Sequence, residues 1–304
     1  MTATDITVEV LPMRIFVTGA SGFIGSAVVP ELLEAGHEVL GLARSDASAA
    51  ALRATGADVH RGDLDDPDSL RSGAQVTDGV IHLAFVHDFN DFAAASDTDR
   101  RAIEALGQTL AGSGRPLVVA SGTTGIRLGE VSTEDDAVTP GSPRVSETTA
   151  LAFADRGVRS SVVRLPPSVH GPGDHGFVPR LIEIAREKGE SGYPGDGANR
   201  WPAVHRLDAA RLIRLAVESA PAGSRLHAVT EEGTPVRDIA DIIGKQLQLP
   251  VTGVAADAVM EHFGWLGAFF SLDAPASSAR TREQFDWKPT QIGLLDDLAL
   301  GHYF

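Results

Sequence analysis

Three spaced glycines within Thr18-Gly19-Ala20-Ser21-Gly22-Phe23-Ile24-Gly25 constrain the fold more than any other part of the chain. Ahead of them, Arg14-Ile15-Phe16-Val17 reads as a strand. Behind them, Phe23 to Ala35 reads as a helix, with Ile24, Val28, Leu32 and Leu33 on one face and Gly36 as its stop. A strand that turns directly into a helix builds a parallel sheet through crossover connections, so this unit predicts an α/β fold. The turn also gathers backbone N–H groups at a helix N-terminus, where they hold a pyrophosphate. Gly19 permits the tight turn, Gly22 lets the backbone approach the phosphates, and Gly25 lets helix and strand pack closely. A merely tight turn is the competing reading; the strand before and the helix after favour the phosphate role.

The pattern repeats downstream. Val39–Ala43, Asp58–His60, Gly79–Ala84, Leu117–Ala120 and Ser161–Arg164 read as further strands, with a helix over Glu147–Asp155. Together they predict a doubly wound parallel Rossmann sheet over residues 13–165, after a short N-terminal extension of residues 1–12. Beyond Arg164 the texture changes, with Pro166-Pro167, Gly171-Pro172-Gly173 and the Gly/Pro-rich run 192–197. Helical patterns return at Phe177–Lys188, Asp208–Ser219, Val236–Leu247 and Ala255–Phe263. They predict a smaller, mostly helical substrate domain over 166–304, interleaved with the first and returning to the sheet near 203–206. Asp208 reads as a helix N-cap before Ala209-Ala210-Arg211-Leu212-Ile213.

A net charge of −15 argues against nucleic acid and anionic membranes as partners, because the summed field repels phosphates. It leaves room for a local positive pocket and a small-molecule substrate. The chain has no cysteine, and its ten histidines show no helical metal-ligand spacing, so no metal site is expected. No apolar run reaches the roughly 20 residues that span a bilayer, and residues 1–12 lack the pattern of a signal peptide. The expected compartment is the cytoplasm.

The second strand decides which dinucleotide fits. An NAD site ends this strand with Asp or Glu for the ribose hydroxyls, whereas an NADP site offers a nearby Arg. Here the run is Ala43-Arg44-Ser45, with no acid before Asp46. A guanidinium at Arg44 and a hydroxyl at Ser45 suit a 2′-phosphate, so NADP(H) is the expected cofactor; an exposed loop arginine is the plainer reading.

With these residues the chain resembles an extended short-chain dehydrogenase/reductase of the NAD-dependent epimerase/dehydratase type. The resemblance runs nearly end to end, through Gly62-Asp63-Leu64, His82-Leu83-Ala84, Ser121-Gly122-Thr123, Val169-His170-Gly171-Pro172-Gly173, Gly195-Asp196-Gly197, Val204-His205 and Trp287-Lys288-Pro289-Thr290. It implies cofactor contacts at Gly19, Ser21, Gly22, Phe23, Ile24 and Gly25, and at Asp63 (on adenine) and Leu64. It implies further contacts at Leu83, Ala84, Phe85, Ser121, Pro167, Ser168 and Val169. A homodimer through the helix around Asp97–Ser113 is also implied.

That family's chemistry rests on Tyr-x-x-x-Lys, in which the Tyr serves as acid/base and the Lys lowers its pKa. The two tyrosines of this chain, Tyr193 and Tyr303, carry no Lys four positions on. Matching Ser142-Pro143 to the family's lead-in puts Arg144 in the Tyr position and Thr148 in the Lys position. Matching back from Glu147 puts Thr139 and Pro143 there instead. The chain therefore resembles atypical members that keep the cofactor site without the dyad.

Three residues are candidates for the lost acid's work. Thr123 can hydrogen-bond a substrate atom or merely cap a turn. Arg144 can stabilise an anion but stays protonated, and a surface ion pair is its commoner fate. His170 titrates near neutrality and can act as a general acid or be structural, and His87 and His175 are open to the same two readings. Asn199-Arg200-Trp201 and Arg206 can hold an anionic substrate group or pair with the many carboxylates. Phe85, Phe89, Phe92 and the aromatic run 262–270 can line a pocket, although domain core is the commoner role. The leading reading is an NADP(H)-dependent oxidoreductase that reduces a small carbonyl, imine or activated alkene. Its rivals are a catalytically silent NADP(H)-binding sensor and an isomerase or lyase that uses the cofactor structurally.

Overall fold

A computed structural model describes residues 11–87, 91–139 and 141–304. Most of the expected N-terminal extension and Phe89 lie outside the described residues. In chain order the first half carries β1 (Arg14–Thr18), α1 (Gly25–Glu34), β2 (Glu38–Ala43), α2 (Asp46–Ala54), β3 (Asp58–Arg61) and α3 (Pro67–Gln75). Then follow β4 (Gly79–His82), α4 (Phe92–Leu110), β5 (Pro116–Gly122), α5 (Ser146–Leu151) and β6 (Arg159–Leu165). The second half holds β7 (Ser168–His170), α6 (Phe177–Lys188), β8 (Ser191–Pro194), β9 (Arg200–His205), α7 (Arg206–Ser219), β10 (Ser224–His227) and β11 (Glu231–Pro235). It ends with α8 (Val236–Leu247), β12 (Val251–Val254), α9 (Val259–Phe263), α10 (Leu266–Phe270), α11 (Ala279–Phe285) and α12 (Leu294–Ala299).

Seven strands form one parallel sheet in the order β3-β2-β1-β4-β5-β6-β10. Its strands are continuous apolar runs because both faces are covered. Alternate residues divide between two cores. Ile15, Val17, Ile81, Val118 and Val163 join α1 and α7 through Val28, Leu32, Ile213 and Val217. Phe16, Val80, Leu117, Val119 and Val162 join α3, α4 and Phe153 on the opposite face. The sheet's winding reverses between β1 and β4, and there the carboxyl ends of the strands open a crevice. A third core gathers α6, α8, α9, α10 and α12 around Trp201 and Phe270. Two small sheets, β11-β9-β7 and β12-β8, accompany those helices, so this part is less purely helical than the periodicity suggests.

Several boundaries move from the sequence reading. The chain rejoins the large sheet at β10, not near 203–206, because β9 pairs with β7 and β11 instead. Ser-Arg-Leu-His at β10 offers a single apolar residue, Leu226, which hides an edge strand from pattern reading. The helix expected over Glu147–Asp155 breaks into α5 and a 3₁₀ turn at Ala154–Arg156. Asp208 is not the N-cap of α7. His205 takes that role through Nδ1, and the Asp208 carboxylate instead accepts from the backbone of Thr290 (2.9 Å) and Gln291 (3.1 Å). With Trp287 Nε1 donating to its carbonyl at 3.1 Å, Asp208 pins the terminal Trp-Lys-Pro-Thr segment.

The long segment between β5 and α5 is held down by buried charge. Arg164 donates to both carboxylate oxygens of Glu147 at 2.7 Å each and to the Asp136 carbonyl at 2.7 Å. Arg225 adds a third bond to Glu147 at 2.7 Å. Burial pushes the Glu147 pKa up, but the two guanidinium groups outweigh it and hold the carboxyl below its ordinary value.

Candidate functional site

The glycine loop occupies Gly19–Ile24, and α1 begins at Gly25, two residues later than periodicity indicates. Gly22 N donates to Gly19 O at 2.9 Å, which closes the turn before the helix can start. Gly19 has φ +67°, and a Cβ there would lie 2.7 Å from Ala84 N, so loop and β4 meet backbone to backbone. A Cβ on Gly25 would lie 2.1 Å from Gly19 O. Gly22 differs: it is exposed, and a Cβ would touch only Gly19 O, at 3.2 Å. The protein's own packing thus requires glycine at 19 and 25, while the face at 22 is bare and exposed. That face fits a close-approaching phosphate.

Beside the loop lies a pocket of about 340 Å³ lined by Gly19, Ser21, Arg44, Ser45, Asp63, Leu64 and Ala84. Residues read from three separate parts of the sequence meet here. Leu42, Ser48 and Gly62 complete the wall. The Arg44 side chain is 82% exposed, with Nε 3.7 Å from an Asp63 oxygen. The Ser45 hydroxyl is engaged as the N-cap of α2, accepting from Ser48 N at 3.1 Å in a reciprocal capping box. The α2 N-terminus therefore faces the same pocket as the guanidinium and adds its partial positive charge.

Behind the loop a buried hydrogen-bond chain crosses the fold. Ala84 N donates to Thr18 Oγ1 (3.3 Å), which meets His82 Nδ1 at 2.8 Å; His82 Nε2 meets Asp99 Oδ1 at 3.1 Å. From the other end Arg144 Nε donates to Ser146 Oγ (3.1 Å), and Ser146 donates to Asp99 Oδ2 at 2.5 Å. Placing the His82 hydrogen on Nε2 satisfies every partner, with both arms donating toward the Asp99 carboxylate. Burial raises the Asp99 pKa, but the bonds from His82 and Ser146 and the charge of Arg144 hold it below its ordinary value.

Arg144 is half-buried, with its guanidinium 4.4 Å from the Phe85 ring centroid and Nη2 donating to Ala120 O at 3.3 Å. Burial lowers its pKa and Asp99 opposes the shift. It stands between the ends of β4 and β5, just ahead of α5. Thr123, at the end of β5, is 1% exposed and its Oγ1 has no hydrogen-bond partner. A buried hydroxyl left without a protein partner is open to a water or a ligand atom. Ser121 and Ser168 are also buried, and Ser168 Oγ lacks a partner as well. Leu83 and Val169 pack against the core beside α1, with Pro167 half-buried between β6 and β7.

Other candidates are placed elsewhere. His170 is fully buried; its Nδ1 lies 2.9 Å from Asp297 Oδ2 and its ring sits edge-on to His205. Its partners are thus on α12 and β9, away from Thr123 and Arg144. Burial keeps its pKa below the ordinary value, with Asp297 opposing. Asn199 donates to the carbonyls of Phe270 and Leu272, and Arg200 is bound bidentately by Asp273 at 2.9 and 2.8 Å, so both serve the lobe's own packing. Trp201, Phe263 and Phe270 are core. Tyr193 lies beneath Arg237, and Tyr303 Oη accepts from Gly171 N at 3.0 Å. Among the described residues no group of three or more His, Asp or Glu is placed to hold a metal, and no helix is long and apolar enough to cross a membrane.

Residues 15–229 fit the model of the NAD dependent epimerase/dehydratase family. An uncharacterized protein of Schizosaccharomyces pombe is 53% identical, covering 96% of this chain and 100% of its own length. A 2-alkyl-3-oxoalkanoate reductase of Stenotrophomonas maltophilia is 31% identical over 75% of this chain and 73% of its own. Among solved structures, a dTDP-glucose 4,6-dehydratase of Streptomyces venezuelae with NAD bound superposes with a TM-score of 0.77 at 23% identity, over 95% of this chain and 96% of that one.

Proposed function

The chain belongs to the NAD dependent epimerase/dehydratase family, and from that premise we propose that it is an NADP(H)-dependent reductase of a small carbonyl compound. The observation that carries this reading is the pocket where the glycine loop, the α2 N-terminus and Arg44 converge without a carboxylate at the end of β2. An arginine in this position suits a 2′-phosphate, and an acid would suit the free ribose hydroxyls. The relative that reduces 2-alkyl-3-oxoalkanoates supports the carbonyl as the reducible group.

Gly19, Gly22 and the start of α1 would hold the diphosphate, Asp63 and Leu64 the adenine, and Arg44 the 2′-phosphate. A nicotinamide held there would supply the hydride for the carbonyl carbon. Thr123 Oγ1 donates its free hydrogen to the carbonyl oxygen. Arg144 stabilises the negative charge that grows there, and water delivers the proton that completes the alcohol. Arg144 is a fixed cation in this scheme, with Asp99 and Ser146 positioning it. A homodimer through α4 is part of the same proposal, although the outer face of that helix is charged and internally paired through Asp97, Arg100, Arg101 and Glu104.

Calorimetric titration with NADPH and NADH tests the cofactor, and NADPH oxidation with a panel of ketones and aldehydes tests the reaction. NADPH is expected to bind more tightly, and Arg44→Ala to erase most of that preference. Tighter NADH binding, or tight NADPH binding with no turnover across the panel, overturns the reading.

A further inference from the structure

We propose that the cleft selects oxo acids: Arg206 binds the substrate's carboxylate while Thr123 and Arg144 receive its carbonyl oxygen. The inference rests on the reductase reading above and adds the substrate class. Its basis is a pair of guanidinium groups, each laid on a phenyl ring, on the two sides of the crevice. Arg206, the first residue of α7, has its guanidinium carbon 5.2 Å from the centroid of Phe23 in the glycine loop. Arg144 lies 4.4 Å from the Phe85 centroid, just past β4.

Two imidazoles continue this rim. His175 stands edge-on to Phe23 with centroids 5.8 Å apart, and His87 stands edge-on to Phe85 at 5.4 Å. Each phenyl ring thus carries a guanidinium and an imidazole: Arg144 and His87 on Phe85, Arg206 and His175 on Phe23. Burial lowers the His87 pKa, and the charges of Arg144 and His175 lower it further.

The chain has 41 acidic against 26 basic residues, and many of its arginines are neutralised. Arg61, Arg100, Arg164, Arg200 and Arg214 each hold a carboxylate within 3 Å. Among the described residues neither Arg144 nor Arg206 has one within 4 Å, and Asp99 reaches Arg144 only through Ser146. Arg206 is half-buried and faces a loop made bare by glycines. A Cβ on Gly171 (φ +131°) would lie 3.3 Å from Arg206 Cγ, and one on Gly173 (φ +85°) 3.8 Å from its Nη1. A guanidinium at Arg206 without a carboxylate partner, on a strongly acidic protein, makes a local well for an anion. The planar fork of arginine pairs with a carboxylate through two parallel bonds, and stacking on Phe23 fixes the plane of that fork.

The experiment uses the full chain, NADPH, and matched pairs of 2- or 3-oxo acids and their methyl esters. The acid is expected to be preferred in kcat/KM. In Arg206→Gln the acid-to-ester ratio should fall by about ten- to a hundredfold, the worth of one charge-assisted pair, with the loss in KM rather than kcat. Arg206→Lys should recover part of it, and the NADPH Kd should stay within about twofold. Equal or better use of the esters overturns the proposal. So does a raised NADPH Kd in Arg206→Gln, which would assign Arg206 to the cofactor diphosphate. If neither acid nor ester is reduced, the reductase reading fails by itself. Calorimetry of the acid against NADP⁺-loaded protein then decides the subsite: Arg206-dependent binding of acid over ester upholds it, and absence of such binding overturns it.

Discussion

Asp174, on the loop between β7 and α6, makes stability depend on pH in the direction opposite to most carboxylates. One of its oxygens accepts from Gly176 N at 2.7 Å and the other lies 3.4 Å from the Tyr303 hydroxyl. Burial, only partly offset by the Gly176 bond and by His175, pushes its pKa from 3.8 to about 6. A carboxyl whose folded pKa is raised holds its proton more tightly in the folded state. Its contribution to stability is therefore intact below pH 4 and falls away as pH rises through about 6. The penalty works out to about 1.5 kcal/mol at pH 5, where mainly the unfolded chain is ionised, and about 3 kcal/mol at pH 8. Asp174→Asn keeps the shape and the acceptor for Gly176 while removing the ionisation. Urea unfolding of both proteins at pH 5, 6, 7 and 8 should show the variant gaining on the wild type by about 1.5 kcal/mol across the series. Any constant effect of the amide cancels in that slope, as do the other titrating groups. A gap that stays flat, or narrows as pH rises, refutes the burial argument.

Two further substitutions probe the crevice. Gly22→Ala should leave urea stability within about 1 kcal/mol, because its Cβ meets a single oxygen, yet weaken binding of the nicotinamide dinucleotide about tenfold or more by titration. Unchanged affinity would mean that the loop does not cradle the phosphates. Asp99→Asn keeps the shape of a 2%-exposed side chain but turns one acceptor into a donor facing His82 or Ser146, and should cost about 2 kcal/mol in urea unfolding. A neutral result would mean that the chain from Thr18 to Arg144 is not directional.

Much of the fold was legible because burial in a two-sided parallel sheet writes itself as uninterrupted apolar runs. Ile15-Phe16-Val17 and Leu117-Val118-Val119 have no solvent face to encode. Helices α6 and α8 match their predicted limits for a similar reason, since each has one stripe facing a core. What pattern reading missed lacks that imprint. β10 is an edge strand with one inward apolar residue, and Asp208 carries a cap-like residue type whose partners lie some 80 residues away. His205, which does cap α7, uses a ring nitrogen where Ser, Thr, Asp or Asn is the usual signal.

The two halves of the crevice differ in legibility for a physical reason. Gly19, Arg44 and Asp63 converge on one pocket because a local rule, strand then turn then helix, fixes where each strand end must point. On the substrate side no such rule operates. Arg200 and Arg206 are six residues apart and equally charged, and sequence alone offers both the same choice between an anionic ligand and an internal carboxylate. Asp273 removes Arg200 from that choice by taking two hydrogen bonds from its guanidinium and one from its backbone. Nothing comparable reaches Arg206 among the described residues; its neighbours are a phenyl ring and two glycines. His170 and Thr123 divide by place instead, since both are buried and each keeps one polar atom, Nε2 and Oγ1, without a partner. The histidine is tied through Nδ1 to Asp297 on α12, while the threonine stands at the end of β5 on the crevice side of the large sheet. Residue type nominates the candidates for chemistry, and the distribution of tertiary hydrogen bonds decides which of them remain free to perform it.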